Sequence, residues 1–209
     1  MKKKREPIIH NASTTDTFYS MTSHPQWVKL LLDRDKPYNK FLEALINQCF
    51  YRERNERTHI KKMAEDTGFK TTEVTKWINQ MYDDIFELND TNPELFKQTG
   101  IKHQLHFKYW DSRATLTLWL LNTPSRFETF DCYFVKAKVG TSLFHVKDIR
   151  NSFEEGGHTI DIYLTGGTSN SYREWLVERA LFHGYLHFMD VYDKEEYEID
   201  EILKGFYRQ

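Results

Sequence analysis

The sequence predicts an α+β fold: a helical N-terminal part, then an antiparallel sheet followed by a C-terminal helix. Three observations carry this. From Tyr38 to Phe50, and again over Val74, Trp77, Ile78 and Met81, apolar residues recur every three or four positions, the period of a half-buried helix. Beyond Gly100 the period drops to two: Leu105, Phe107 and Tyr109 alternate with His106 and Lys108, and Leu116, Leu118 and Leu120 with Thr117 and Trp119. Gly156-Gly157 and Gly166-Gly167 then bracket another alternating run, Thr159 to Leu164, as turns.

Taken in order, residues 1–26 read as a flexible tail rich in Thr, Ser and Asn. Its KKKR start is either a phosphate-seeking arm or a solvated end. A short helix covers Trp27 to Leu32, and Asp35-Lys36-Pro37 punctuates the chain. From Tyr38 a helix carries Phe41, Leu42, Leu45, Ile46, Cys49 and Phe50 on one side and decays in YRERNER. Two more helices reach about Asp84. Residues 89–100, with Asp90, Asn92, Pro93 and Gly100, read as a linker.

The hairpin over 103–121 turns at WDSRA. A third strand is expected over 130–139, a fourth over 143–149 and a fifth over 159–164. The last helix, 171–189, turns Trp175, Leu176, Ala180, Leu181, Tyr185 and Phe188 inward, and an acidic tail closes the chain. The expected organisation is a helical domain over 27–88 and an α+β domain over 101–209, each with its own core. The first core centres on Phe41, Leu45, Val74 and Trp77. The second centres on Leu105, Phe107, Leu116, Leu118, Ile160, Ile162, Trp175 and Leu181.

Composition narrows the class. Of 209 residues 39% are apolar and 29% charged, with fifteen Phe, twelve Tyr and five Trp, which excludes wholesale disorder. No run approaches the roughly 18 apolar residues of a membrane span. The basic start leads into polar residues rather than a signal core, so a cytoplasmic protein without membrane contact is expected. Cys49 and Cys132 form neither a disulfide framework nor a metal-ligand spacing. The net charge of −2 hides an asymmetry: residues 1–80 hold fifteen basic against ten acidic side chains, and 81–209 fourteen against twenty-one.

The most informative segment is IKKMAEDTGFKTTEVTKWIN, Ile60 to Asn79. Ala64 is small where two helices would cross, and Gly68 stands where the chain would turn through a left-handed conformation. Phe69 points back to the core, and Val74, Trp77, Ile78 and Met81 form the buried stripe of the second helix. Over about residues 38–88 the chain resembles the tri-helical helix-turn-helix family of DNA-binding domains, and the hairpin beyond Gly100 resembles the wing of its winged variant. Thr67 departs from the aliphatic residue usual there.

The resemblance implies a recognition helix from Lys70 to Met81, with Lys70, Thr71, Thr72, Thr75, Lys76 and Asn79 turned to bases and phosphates. Lys61 and Lys62, with Arg54 and Arg57, would take backbone phosphates. The implied partner is double-stranded DNA, and the implied role a transcriptional regulator or a mobile-element or phage-type factor. The C-terminal domain would sense, recruit a protein or form a homodimer. An A-x-x-x-G hairpin is equally an ordinary packing solution, so a protein-interaction module is the alternative reading. Asp83 and Asp84, placed at the end of the helix, oppose deep DNA contact there.

Other chemistry is sparse, and no catalytic residue, cofactor or metal is expected. His183 and His187, four apart on the expected last helix, have zinc-compatible spacing but lack a glutamate between them; they read as a solvated pair. His103, His106, His145 and His158 fall on strands as sheet-face residues. Gly166-Gly167-Thr168-Ser169 reads as a turn with a capping Ser or Thr, or as an anion cradle; an enzyme site near Gly166 to Tyr172 is a third reading. Trp110 and Trp119 fall opposite their strands' apolar faces.

Overall fold

Ser13 starts the first helix. Its Oγ accepts from the Asp16 N–H at 3.1 Å, and its own N–H donates to the Asp16 carboxylate at 3.3 Å, a reciprocal cap. Helix α1 (Thr14–Thr22) then buries Phe18 and Met21. The computed structural model describes residues 7–48, 60–154, 157–194 and 196–207, and the chain divides into two units, 1–168 and 169–209. The expected tail is therefore corrected for residues 7–26. The Ile8 N–H donates to the Asp111 carboxylate at 2.6 Å, Asp111 returns its N–H to the Ile8 carbonyl at 3.2 Å, and the His10 N–H donates to Ser112 Oγ at 2.7 Å.

In the first unit, α2 (Pro25–Lys29) and a 3-10 turn (Leu30–Asp33) lead to α3 (Asn39–Gln48), α4 (Ile60–Thr67) and α5 (Thr71–Thr91). Helix α5 runs past its expected end because its second half is as amphipathic as its first, burying Met81, Ile85 and Leu88. Asp84 accordingly lies inside. The Tyr38 hydroxyl donates to it at 2.6 Å, and Lys36 Nζ stands 3.6 Å away. The expected linker is a 3-10 turn (Pro93–Phe96) that buries Phe96 edge-on to Trp27, centroids 5.6 Å apart.

Five strands follow: β1 (Ile101–Tyr109), β2 (Ser112–Leu120), β3 (Thr129–Asp131), β4 (Leu143–Glu154) and β5 (Gly157–Gly166). Their order is β2-β1-β5-β4-β3. The β1–β2 pair is antiparallel with Leu105 opposite Leu116, and the β4–β5 pair with Ile149 opposite Ile162. β1 and β5 are parallel, with Phe107 beside Leu164, so the sheet is mixed rather than antiparallel. The hairpin expected as a wing is the margin of this sheet, since the second edge of β1 is taken by β5. The strand expected over 130–139 is the short β3, a 3-10 turn (Tyr133–Val135) and α6 (Lys136–Val139), where Phe134 and Val135 are buried in succession instead of alternating.

One face of the sheet, including Leu105, Phe107, Leu116, Phe144, Val146 and Ile162, shares a single apolar cluster with Phe41, Leu45, Val74 and Met81. The expected division at 89–100 is corrected accordingly: helices and sheet have one core there. Trp119 is buried under the Lys102 ammonium, 5.4 Å from its ring, whereas Trp110 is exposed at the hairpin turn with φ 53°.

The unit 169–209 has a small core of its own: Leu176, Val177, Ala180, Leu186, Ile199 and Leu203. It contains α7 (Ser171–Phe182), α8 (Asp190–Asp193) and α9 (Glu196–Tyr207). Asn170 Oδ1, rather than a Ser or Thr, caps α7 by accepting from the Arg173 N–H at 3.1 Å. Gly184, at φ +74°, ends the helix the sequence extends to 189. Trp175, Tyr185 and Phe188, expected inward, are exposed, and the acidic tail is helix α9. No helix among the described residues is long and apolar enough to cross a membrane.

Candidate nucleic-acid interface

The turn between α4 and α5 is built from backbone bonds. The Phe69 N–H donates to the Ala64 carbonyl at 3.0 Å and the Gly68 N–H to the Glu65 carbonyl at 3.3 Å, which closes the end of α4 around a glycine at φ +74°. Thr67 donates its hydroxyl to the Met63 carbonyl at 2.6 Å, so it satisfies a helix-end acceptor. Ala64 is buried, and Glu73 accepts from the Lys70 N–H at 3.3 Å where α5 begins. Phe41 of α3, Phe69 of the turn and Trp77 of α5 meet with centroids 5.1 to 6.0 Å apart. Trp77, expected in the buried stripe, is half-buried.

Lys70, Thr71, Thr72, Lys76 and Asn79 are exposed on α5 and its cap, and Thr75 is half-buried. Thr72, Thr75, Lys76 and Asn79 follow helical i, i+3, i+4, i+7 spacing, so they share one side. Lys61 and Lys62 are exposed on α4, with Lys61 Nζ 4.0 Å from Glu65. Arg54, Arg57 and Cys49 lie outside the described residues.

At its far end this side borders a cleft of about 420 Å³ lined by His10, Asn11, Asn79, Asp83 and Lys138. Lys138 Nζ stands 3.9 Å from the Asp83 carboxylate and 4.2 Å over the Phe86 ring. The two acids that counted against DNA contact are thus both engaged, Asp84 inside and Asp83 by Lys138. That His10 and Lys138 line this cleft was not legible in the sequence. The Ser13–Asp16 cap was a usable signal for the first, since it fixes the preceding segment; Lys138 arrives from α6 and has no local signal.

The remaining candidates make contacts within the fold. His103 is buried, its ring nitrogens 2.7 Å from the Ile101 carbonyl and 2.8 Å from Thr123 Oγ1. His106 Nε2 meets Asp161 Oδ1 at 2.7 Å and its ring stacks on Tyr163. His183 and His187 are separated by the break at Gly184 and do not share a helical turn, and no cluster of three metal-ligating side chains occurs among the described residues. Burial pushes the Cys132 thiol up to about 11, which keeps it protonated at neutral pH. The chain has no significant match to any protein-family model, curated protein or solved structure.

Proposed function

We propose that the chain binds double-stranded DNA through α4 and α5, with the N-terminal half of α5 in the major groove. The observation that carries this reading is the side of α5 and its cap that holds Lys70, Thr71, Thr72, Lys76 and Asn79, all exposed, with the half-buried Thr75 among them, beyond a tight turn at Gly68. Hydroxyls, an amide and lysines at helical spacing suit phosphates and base edges. Lys61 and Lys62 supply further phosphate contacts from α4. A regulatory role follows if the second unit carries the partner contact. A mobility shift of pooled duplexes at low salt tests this: the wild type should bind, and Lys61→Glu with Lys62→Glu should weaken binding across all sequences.

One observation favours a second reading, a protein-interaction module. Residues 60–79 hold four lysines against three acidic side chains, a thin excess for a nucleic-acid surface. Absence of a shift with every duplex selects it.

A further inference from the structure

The polar groups on the outer side of α5 are not engaged within the fold. The hydroxyls of Thr72 and Thr75, the Lys76 ammonium and the Asn79 amide enter no hydrogen bond or ion pair among the described residues. Other asparagine amides do. Asn39 donates to the Arg34 carbonyl at 2.7 Å, Asn89 holds both backbone groups of Thr117, and Asn170 accepts from the Arg173 N–H at 3.1 Å. From Thr72 to Asn79 the helix rises about 10 Å, roughly three base-pair steps.

These groups differ in what they can distinguish. A hydroxyl rotates to donate or accept, so it suits any base edge or phosphate. An ammonium only donates, and a phosphate serves it as well as a base. The Asn79 amide holds an acceptor and a donor side by side on one rigid plane. In the major groove adenine alone offers the complement, an N7 acceptor beside an N6 amino donor. Guanine shows two acceptors, cytosine a donor, and thymine an acceptor beside a methyl. The next turn of α5 limits the footprint. Tyr82 is buried with its hydroxyl donating to the Phe134 carbonyl at 2.7 Å, and the Asp83 carboxylate, 3.9 Å from Lys138 Nζ, opposes a phosphate.

We propose that Asn79 is the specificity-determining residue of this side, taking an adenine by N7 and N6 in the major groove, while the threonines and lysines hold the duplex without choosing its sequence. The inference rests on DNA binding by α4 and α5 and names the base which that binding selects.

Selection by the full chain from a random-sequence duplex pool tests it. The enriched duplexes are expected to share an adenine. At that position 7-deazaadenine, which lacks N7, should weaken binding at least roughly fivefold. Diaminopurine, which keeps N7 and the N6 amino group and alters the minor groove alone, should not. Asn79→Ala should still bind, with an unchanged salt dependence, and accept any base pair there. The base analogues need only the wild type, so they decide the matter even if the variant does not fold. Enriched sites that require no adenine, an adenine indifferent to the loss of N7, or an Asn79→Ala variant as strict as the wild type overturns the inference and leaves DNA binding standing. Weakening by diaminopurine assigns the reading to the minor groove and overturns it too. No binding of any duplex overturns the DNA reading itself, and this inference with it.

Discussion

Asn89 holds Thr117 by both of its backbone groups: Nδ2 donates to the Thr117 carbonyl at 2.9 Å, and Oδ1 accepts from the Thr117 N–H at 2.7 Å. β2 is an edge strand, whose outward backbone would otherwise need water or another strand. The amide therefore ties α5 to the sheet and closes part of that edge. We expect Asn89→Ala to cost about 1–3 kcal/mol, since two strand groups lose their partner. Asn89→Asp should destabilise as well, because it sets a carboxylate against the Thr117 carbonyl. Urea denaturation measures both, and an unchanged midpoint for both sinks this account of the edge.

Tyr38 and Asp84 make a second tie, between the start of α3 and the middle of α5. Tyr38→Phe removes the 2.6 Å hydrogen bond and leaves Asp84 with Lys36, at an expected cost of about 1–3 kcal/mol. Burial, then Asp84, raises the Tyr38 phenol well above its ordinary value. The folded state thus holds this proton after the unfolded chain releases it. The associated stability is complete below about pH 10 and is lost as pH rises further. The alkaline loss should be smaller in Tyr38→Phe; equal losses in the two proteins contradict it.

At the acid side, burial lowers the proton affinity of His24, which stacks on Trp27 at 4.2 Å, and of His103. The unfolded chain takes up protons first as pH falls below about 6.5, so stability should rise with pH through that window. We expect Tm to fall between pH 7 and pH 5, and to fall less in His24→Phe. A His24→Phe melt with the wild-type pH slope removes His24 from the explanation.

Ala64 is buried in the core on α4, so Ala64→Leu should overpack it at a cost of about 1–3 kcal/mol. Gly68→Ala should cost about 1 kcal/mol from φ +74° alone, since open space surrounds the position. Thermal melts of the two variants check this. A neutral Ala64→Leu places the residue outside a tight contact.

Much of the fold was legible because local signals agreed with tertiary ones. The alternation around Leu105 and Leu116 marks β1 and β2, and the small residue at 64 with glycine at 68 marks the α4–α5 turn. Other features depend on partners distant in sequence. Asn89 looks like a linker residue until Thr117 is placed beside it, and Asp84 looks like a solvated charge until Tyr38 is. The parallel pairing of β1 with β5 joins residues 57 positions apart, Gln104 with Asp161 among them, and no periodicity announces it. In α7, periodicity places an apolar stripe but does not say which of two stripes faces the core; Leu176 took that side and Trp175 did not. The exposure of the α4 and α5 candidates was legible in the sequence, whereas the cleft that His10 and Lys138 form beside Asn79 was not, because they approach from other elements.

The central claim is that lysines on α4 and α5 contact DNA phosphates. Fluorescence anisotropy with a labelled duplex, repeated across a salt series, tests it most directly. If Lys61, Lys62, Lys70 and Lys76 each displace a counterion, log K should fall against log salt with a slope of about −3 to −4. Lys61→Glu with Lys62→Glu should flatten that slope by about two and weaken every duplex alike. No binding at low salt, or a slope that the double variant leaves unchanged, contradicts the claim.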